Sequence, residues 1–394
     1  MSDAAARAHL RALAHAPRPA GGAAEAVARA HAADTLRRLR FDVQEVPFTY
    51  SALVGRWGTP IAGLASITVL AAAASFGAAG RASAALTLMS AALVVGGMIG
   101  WWAARRGVLS APVLRRRGVN LVATRGDARP TVWLVAHLDS KSQPVPIGVR
   151  AAGVTGTIVA WLAALVLAGA QLAGATWATP AVWWALAAFA AVAGVPVAAS
   201  VVTARSPGAL DDASGVATVL LAAEALRDLP EAPGVLLTSA EELGLAGARA
   251  WCAQRHAAGE VAGVALNVDG VDDVGALTAM TGARVPTALV AALEAAARDA
   301  GATLGVRRLV PGILVDAVAL ADAGWATLTL SRGTWGTLTR IHSPRDSADR
   351  LDGTGVAEAA RVLAGAARAL LGAARGGARG GEPGVRVPPA GRTA

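Results

Sequence analysis

Two kinds of apolar pattern alternate along the chain. Between Arg56 and Arg81 no residue is charged, and none is charged between Arg81 and Arg105. Each gap exceeds the roughly 20 residues that a helix needs to cross hydrocarbon. A longer uncharged run from Ala151 to Ala204 is broken near "AGATWATP", which predicts two further spans. The spans pair into two hairpins, 56–104 and 151–204, and a hairpin returns the chain to the side it left. Residues 1–55, 105–150 and 205–375 are therefore expected on one face, as three pieces of one domain. The last segment, 376–394, is rich in Gly, Pro and Arg and reads as a disordered tail. The four spans are expected to form one bundle, a contact with the lipid bilayer, in which Gly96, Gly97, Gly153 and Gly156 let helices approach closely.

The polar pieces carry the second pattern. "TVWLVAH", "GVLLTSA", "VAGVALNV" and "WATLTLS" are short runs fit for buried strands, and "VQEVPF" is strand-like too. Helical stretches such as "DDASGVATVLLAAEALRDL" separate them, opening with Asp and Ser suited to an N-cap. Alternation of this kind predicts an α/β fold, a mixed sheet flanked by helices on both faces. Ligands in such sheets bind beyond the carboxyl ends of the strands. His137 and Asp139 follow the first of these runs, Glu241 and Glu242 the second, Asp269 the third, and His342 lies on a loop after the fourth. Asp211 opens the first long helix.

Composition sharpens this picture in a few places. The chain has 394 residues, 54% hydrophobic and 16% charged, with a mean hydropathy of +0.48, which excludes a disordered chain. Its net charge of +9 comes almost wholly from arginine, Lys141 being the single lysine. No basic run is interleaved with aromatics, so nucleic acid is not an expected partner. Arg56, Arg105, Arg106, Arg150 and Arg205 flank the spans on the shared face, whereas the distal loops hold only Arg81. Basic residues near span ends favour the cytoplasm, and the shared face is expected there. Cys252 is alone, which excludes an intrachain disulfide and a thiolate zinc site. The start of the chain lacks the apolar stretch of a secretory signal peptide.

Each polar candidate has a plainer reading by itself. Asp211 would cap a helix, His137 would be a core histidine, Asp269 would end a strand, and adjacent glutamates suit a helix start. Two histidines and several carboxylates converging at one sheet edge are, however, what a pair of zinc-like ions requires. In order, "AHLDS", "GALDDASGVA", "SAEELGLAGA", "NVDG" and "IHSPRDSAD" resemble the five motifs of the M28 family of co-catalytic zinc metallopeptidases. The leading stretch "RPAGGAAEAVARAHAADTLRRLRFDVQEVPF" is similar to the family's first helix and strand. The likeness covers the three polar pieces and leaves out both hairpins and the tail.

The resemblance implies a zinc exopeptidase-like fold and two Zn²⁺ ions, one held by His137 and Asp269, the other by Glu242 and His342, with Asp211 bridging. It implies that Asp139 orients the His137 ring and that Glu241, adjacent to a ligand but not itself one, is the general base. It also implies a cis peptide bond between Asp211 and Asp212. The expected activity is that of a membrane-anchored aminopeptidase acting on small peptides. A carboxypeptidase, a glutaminyl cyclase-like enzyme and a catalytically silent binding domain are the alternatives. Three departures stand out: a hairpin separates His137 from Asp211, Asp212 replaces a common Asn, and Ile341 stands where some relatives carry an oxyanion-stabilising Tyr.

Overall fold

The computed structural model describes residues 1–310 and 312–379. The chain opens with two helices, α1 (Asp3–Leu13) and α2 (Ala23–Arg38). At the start of α1 the Ser2 hydroxyl accepts from the Ala5 N–H at 3.3 Å, and Asp3 sits at the positive end of the helix dipole. His9 Nδ1 lies 2.9 Å from His31 Nε2, joining α1 to α2. Burial, then His31 and Arg38, lower the pKa of His9 from 6.5 to about 4. The folded chain thus keeps His9 neutral in a range where the unfolded chain protonates it. The resulting stability is complete above pH 6.5 and is lost as pH falls toward about 4. Its size is at most about 3 kcal/mol. His9→Gln is expected to remove this dependence. The check is the difference between wild-type and variant urea midpoints, which should shrink on acidification from about pH 7 to about pH 4.5. A constant difference would show that His9 does not titrate in this way.

Next come β1 (Asp42–Ser51), α3 (Ala52–Ala78) and α4 (Ala82–Trp102), the last continuing through a π-turn into α5 (Val108–Ser110). β2 (Arg115–Thr124), β3 (Val132–His137), α6 (Ile147–Leu172), α7 (Pro180–Ala198), α8 (Ser214–Ala225), β4 (Gly234–Thr238) and α9 (Ala246–Ala257) follow. The remainder comprises β5 (Val264–Val271), β6 (Ala276–Thr281), α10 (Thr287–Asp299), β7 (Leu304–Arg308), α11 (Asp316–Asp322), β8 (Ala326–Gly333), α12 (Trp335–Leu338) and α13 (Thr354–Arg379). α13 thus includes the first residues of the expected tail, and 380–394 lie outside the described residues.

By Cα proximity the chain divides into two compact units. The first comprises Met1–Thr49, Arg116–Ser142 and the chain from Ala204 onward. The strands form an eight-stranded sheet in the order β1-β2-β4-β3-β5-β8-β6-β7. β4, β3, β5 and β8 run parallel, while β2 and β6 pair antiparallel with β4 and β8. All six residues of β3 are buried, because helices cover both sides of the sheet. Leu134 and Ala136 point into a large core with residues of α1, α2, α8, α10 and α13. Trp133 and Val135 point the other way, toward Trp251 and Cys252 of α9 and Leu320 of α11. Cys252 is packing material there, and burial pushes its thiol up to about 12. The sheet is the mixed one that the sequence pattern implies. β2, β6 and β7 are additions to the strands read from that pattern.

The second unit holds Tyr50–Arg115 and Gln143–Thr203. α3, α4, α6 and α7 pack around Leu70, Ala73, Met89, Ala164, Leu167 and Trp183. The buried Trp183 indole donates to Gln171 Oε1 at 2.9 Å, and Gln171 Nε2 donates to the Gly77 carbonyl at 2.9 Å. Close approach depends on glycine: a Cβ on Gly77 would lie 2.0 Å from the Trp183 ring. Gly153 and Gly156 serve as expected, since a Cβ on them would meet Ala193 at 2.9 and 2.8 Å. Gly96 and Gly97 do not, because no atom lies within 4 Å of where their Cβ would be. They sit on an exposed stretch of α4. Among the described residues four helices, with α4 and its continuation counted as Ala82–Ser110, are long and apolar enough to cross a membrane.

Candidate metal centre

Every residue singled out at the strand ends lies in the first unit. His137 is the last residue of β3, and Asp269 sits near the end of β5. β4 ends at Thr238, the chain turns through left-handed Ala240 (φ 57°), and Glu241 and Glu242 open a short 3₁₀ turn. Asp211 stands just before α8 and is joined to Asp212 by a cis peptide bond, as expected. His342 follows α12 and takes the left-handed conformation (φ 60°), which costs a non-glycine residue about 1 kcal/mol and is favoured at functional sites.

The side chains form two groups. Ligand atoms of His137, Asp211 and Asp269 lie within 4.8 Å of one another, and so do those of Asp211, Glu242 and His342. Asp211 belongs to both: its Oδ1 is 3.1 Å from His137 Nε2 and its Oδ2 is 3.0 Å from His342 Nε2. Glu242 Oε1 lies 3.4 Å from His342 Nε2, and Glu241 Oε2 lies 3.9 Å from His137 Nε2.

These donors suit cations. His137 Nε2 and Glu242 Oε1 are buried yet make no hydrogen bond, although each has a polar neighbour close by. Lone pairs aimed at a common point, and not at each other, leave that signature. Charge points the same way. Burial, with Glu242 and Asp269 nearby, holds Glu241 well above the usual carboxylate range, and burial brings Asp269 to about 7. Burial would also raise Asp211, but the two imidazoles hold it well below its ordinary value. His137 is raised despite its burial, chiefly by Glu241 and its carboxylate neighbours. So many crowded carboxylates call for added positive charge, and His, Asp and Glu donors fit zinc.

Residues behind the donors fix their positions. Asp139 lies against the ring it is expected to orient: its backbone carbonyl is 3.1 Å from His137 Nδ1 and its carboxylate 3.7 Å from the same nitrogen. That carboxylate accepts the N–H groups of Glu241 at 3.0 Å and Glu242 at 3.3 Å, so it shapes the glutamate turn. Asp212 accepts from Gly215 N–H at 2.9 Å and Gly270 N–H at 3.1 Å with one oxygen, and from His137 N–H at 3.2 Å with the other. Asn, with a single acceptor oxygen, cannot do this at both atoms.

Two further residues had no weight in the sequence reading. Asp346, within "IHSPRDSAD", accepts the Leu210 N–H at 2.6 Å and the Asp211 N–H at 3.2 Å. Arg18 is 1% exposed. Its Nε donates to the Leu138 carbonyl at 2.7 Å, Nη1 to Leu13 at 3.1 Å and to Pro207, and Nη2 to Gly208 at 2.9 Å. Ser140 joins in, accepting from the Arg18 N–H at 2.9 Å and donating to the Ser206 carbonyl at 2.9 Å. The Arg205 N–H donates to Ser142 Oγ at 2.7 Å. One guanidinium thus ties the segment after His137 to the segment before Asp211 across the intervening residues 143–203. Ile341 packs against the large core, and the single tyrosine, Tyr50, belongs to the other unit.

Residues 194–367 match the model of Peptidase family M28. No curated protein matches the chain by sequence. Among solved structures the chain is similar to an aminopeptidase from Aneurinibacillus sp. strain AM-1, with 16% identity, a TM-score of 0.54 and 94% of each chain covered. It is similar to a zinc aminopeptidase from Bacillus subtilis, with 16% identity and a TM-score of 0.53 over 93% of this chain and 94% of that one. A glutaminyl cyclase from Fimbriiglobus ruber shares the fold at 14% identity and a TM-score of 0.52, over 93% of this chain and 95% of that one.

Proposed function

We propose that this M28-type metallopeptidase is a membrane-anchored di-zinc aminopeptidase that removes N-terminal residues from small peptides. The observation that carries the reading is the pair of donor groups sharing Asp211, with Glu241 beside them. His137 and Asp269 would hold one zinc, Glu242 and His342 the other, and Asp211 both. Zinc bound there supplies Lewis acidity, which polarises a carbonyl and acidifies water. The chain's own contribution is positional. Glu241, buried and not counted in either donor group, takes the proton of the attacking water at its carboxylate and returns it to the leaving amine. Asp139 and Asp212 keep the glutamate turn and the His137 backbone fixed while this happens.

Membrane anchoring rests on the distribution of residue size in the second unit. Its interior is rich in Ala and Gly, while Leu64, Val94, Met98, Ile158, Val166 and Val192 point outward and are exposed. Water disfavours such a surface, and lipid accepts it. The excess of arginine at the ends nearer the polar pieces supports a cytoplasmic side for those pieces.

Purified, zinc-loaded protein offered a panel of free and N-blocked peptides tests the activity. Release of the N-terminal residue from free peptides only is the expected result. Cleavage from the C-terminus, cyclisation of an N-terminal Gln, or zinc binding without turnover would each replace the reading. Alkaline carbonate extraction and protease protection on vesicles test the anchor and its orientation.

A further inference from the structure

Lys141 is the single lysine of a chain with 36 basic residues, and it is placed within the metal centre. Its ammonium pairs with Glu242 Oε2. The other oxygen of that carboxylate, Oε1, is buried without a hydrogen bond and faces His342 Nε2 at 3.4 Å. The two oxygens of Glu242 are therefore already divided between two tasks. Asp269 and His137, on the other side of Asp211, have no basic side chain paired with them among the described residues.

We propose that Lys141 occupies Oε2 so that Glu242 offers a metal only Oε1, making the Glu242–His342 position the weaker and more readily exchanged of the two. The inference rests on the two-metal reading above. Its physical basis is twofold. A fixed positive charge next to a cation site repels the cation directly, and little solvent intervenes to screen it. The ammonium also withdraws charge from the one oxygen left to bind, which makes Glu242 a poorer donor. Arginine at 141 would preserve the charge, whereas methionine would preserve bulk and remove it.

Zinc titration against a competing chelator, on the full-length wild type and on Lys141→Met and Lys141→Arg, decides the matter without reference to turnover. In the wild type two zinc ions are expected to bind, one more weakly. Lys141→Met should tighten the weaker step by at least about tenfold and leave the tighter step unchanged. Lys141→Arg should resemble the wild type. The unchanged tight step also shows that the variants are folded. Two zinc ions whose weaker step is unaltered or loosened in Lys141→Met would overturn the role of Lys141 alone. A wild type that binds fewer than two would overturn the two-metal reading beneath it.

Discussion

Glu241→Gln is expected to lower kcat by about 10²–10⁴-fold while zinc content stays at the wild-type level. Glu241 is 5% exposed, and it belongs to neither group of converging ligand atoms. The amide is close to isosteric with the carboxylate and keeps the turn that Asp139 holds through the backbone. What it lacks is the capacity to accept a proton from water. KM should change little, since the lost function is exercised on the way to the transition state. Elemental analysis beside steady-state kinetics checks both halves. Metal loss equal to that in Glu242→Gln would refute the separation of tasks between the neighbouring glutamates.

Asp211→Asn should be more damaging still, removing both zinc ions and bringing turnover to background. Asp211 is the one residue common to the two donor groups, each of its oxygens facing a different imidazole. An amide presents one neutral oxygen, so at least one position loses a ligand and both lose a negative charge. Glu242→Gln, by contrast, touches one group only and should cost one zinc. Thermal unfolding with and without added zinc gives a reading independent of activity. The zinc-dependent rise in Tm should vanish in Asp211→Asn and persist, reduced, in Glu242→Gln. A full rise in Asp211→Asn would exclude a bridging role.

Much of this was legible in the sequence because metal chemistry restricts both residue type and place. Imidazoles and carboxylates directly after β-branched or Leu-rich runs, as at His137 and Glu241, have few other reasons to recur. The buried parallel strands β3, β4, β5 and β8 were legible for the same cause, being continuous apolar runs. β2 begins with three arginines, β6 reads "ALTAMT", and all but one residue of β7 are exposed, so none of them carries that signal. Arg18 was opaque for a different reason. Its partners are backbone carbonyls, at Leu138, Pro207 and Gly208, which have no residue type to read. The face of a helix is likewise hidden when it is apolar all round, which is why Gly153 and Gly96 looked equivalent. Asp139 was placed correctly in the chain, but whether its carboxylate or its carbonyl meets the ring depends on a turn that only coordinates reveal.

The bonds that gather Arg18, Ser140, Ser142, Arg205 and Ser206 close the base of a long excursion of the chain. Closing a loop costs entropy that grows only with the logarithm of its length, about 0.6 kcal/mol for each doubling. Once the base is stapled, the number of residues above it matters little to the geometry below. The stretch between Ser142 and Arg205 is thus a grafting point. A longer segment, a different one or a short polar linker should leave His137 and Asp211 in register, and zinc content would report it. Such a joint lets the unit that carries the site acquire or change an inserted segment without redesigning its chemistry.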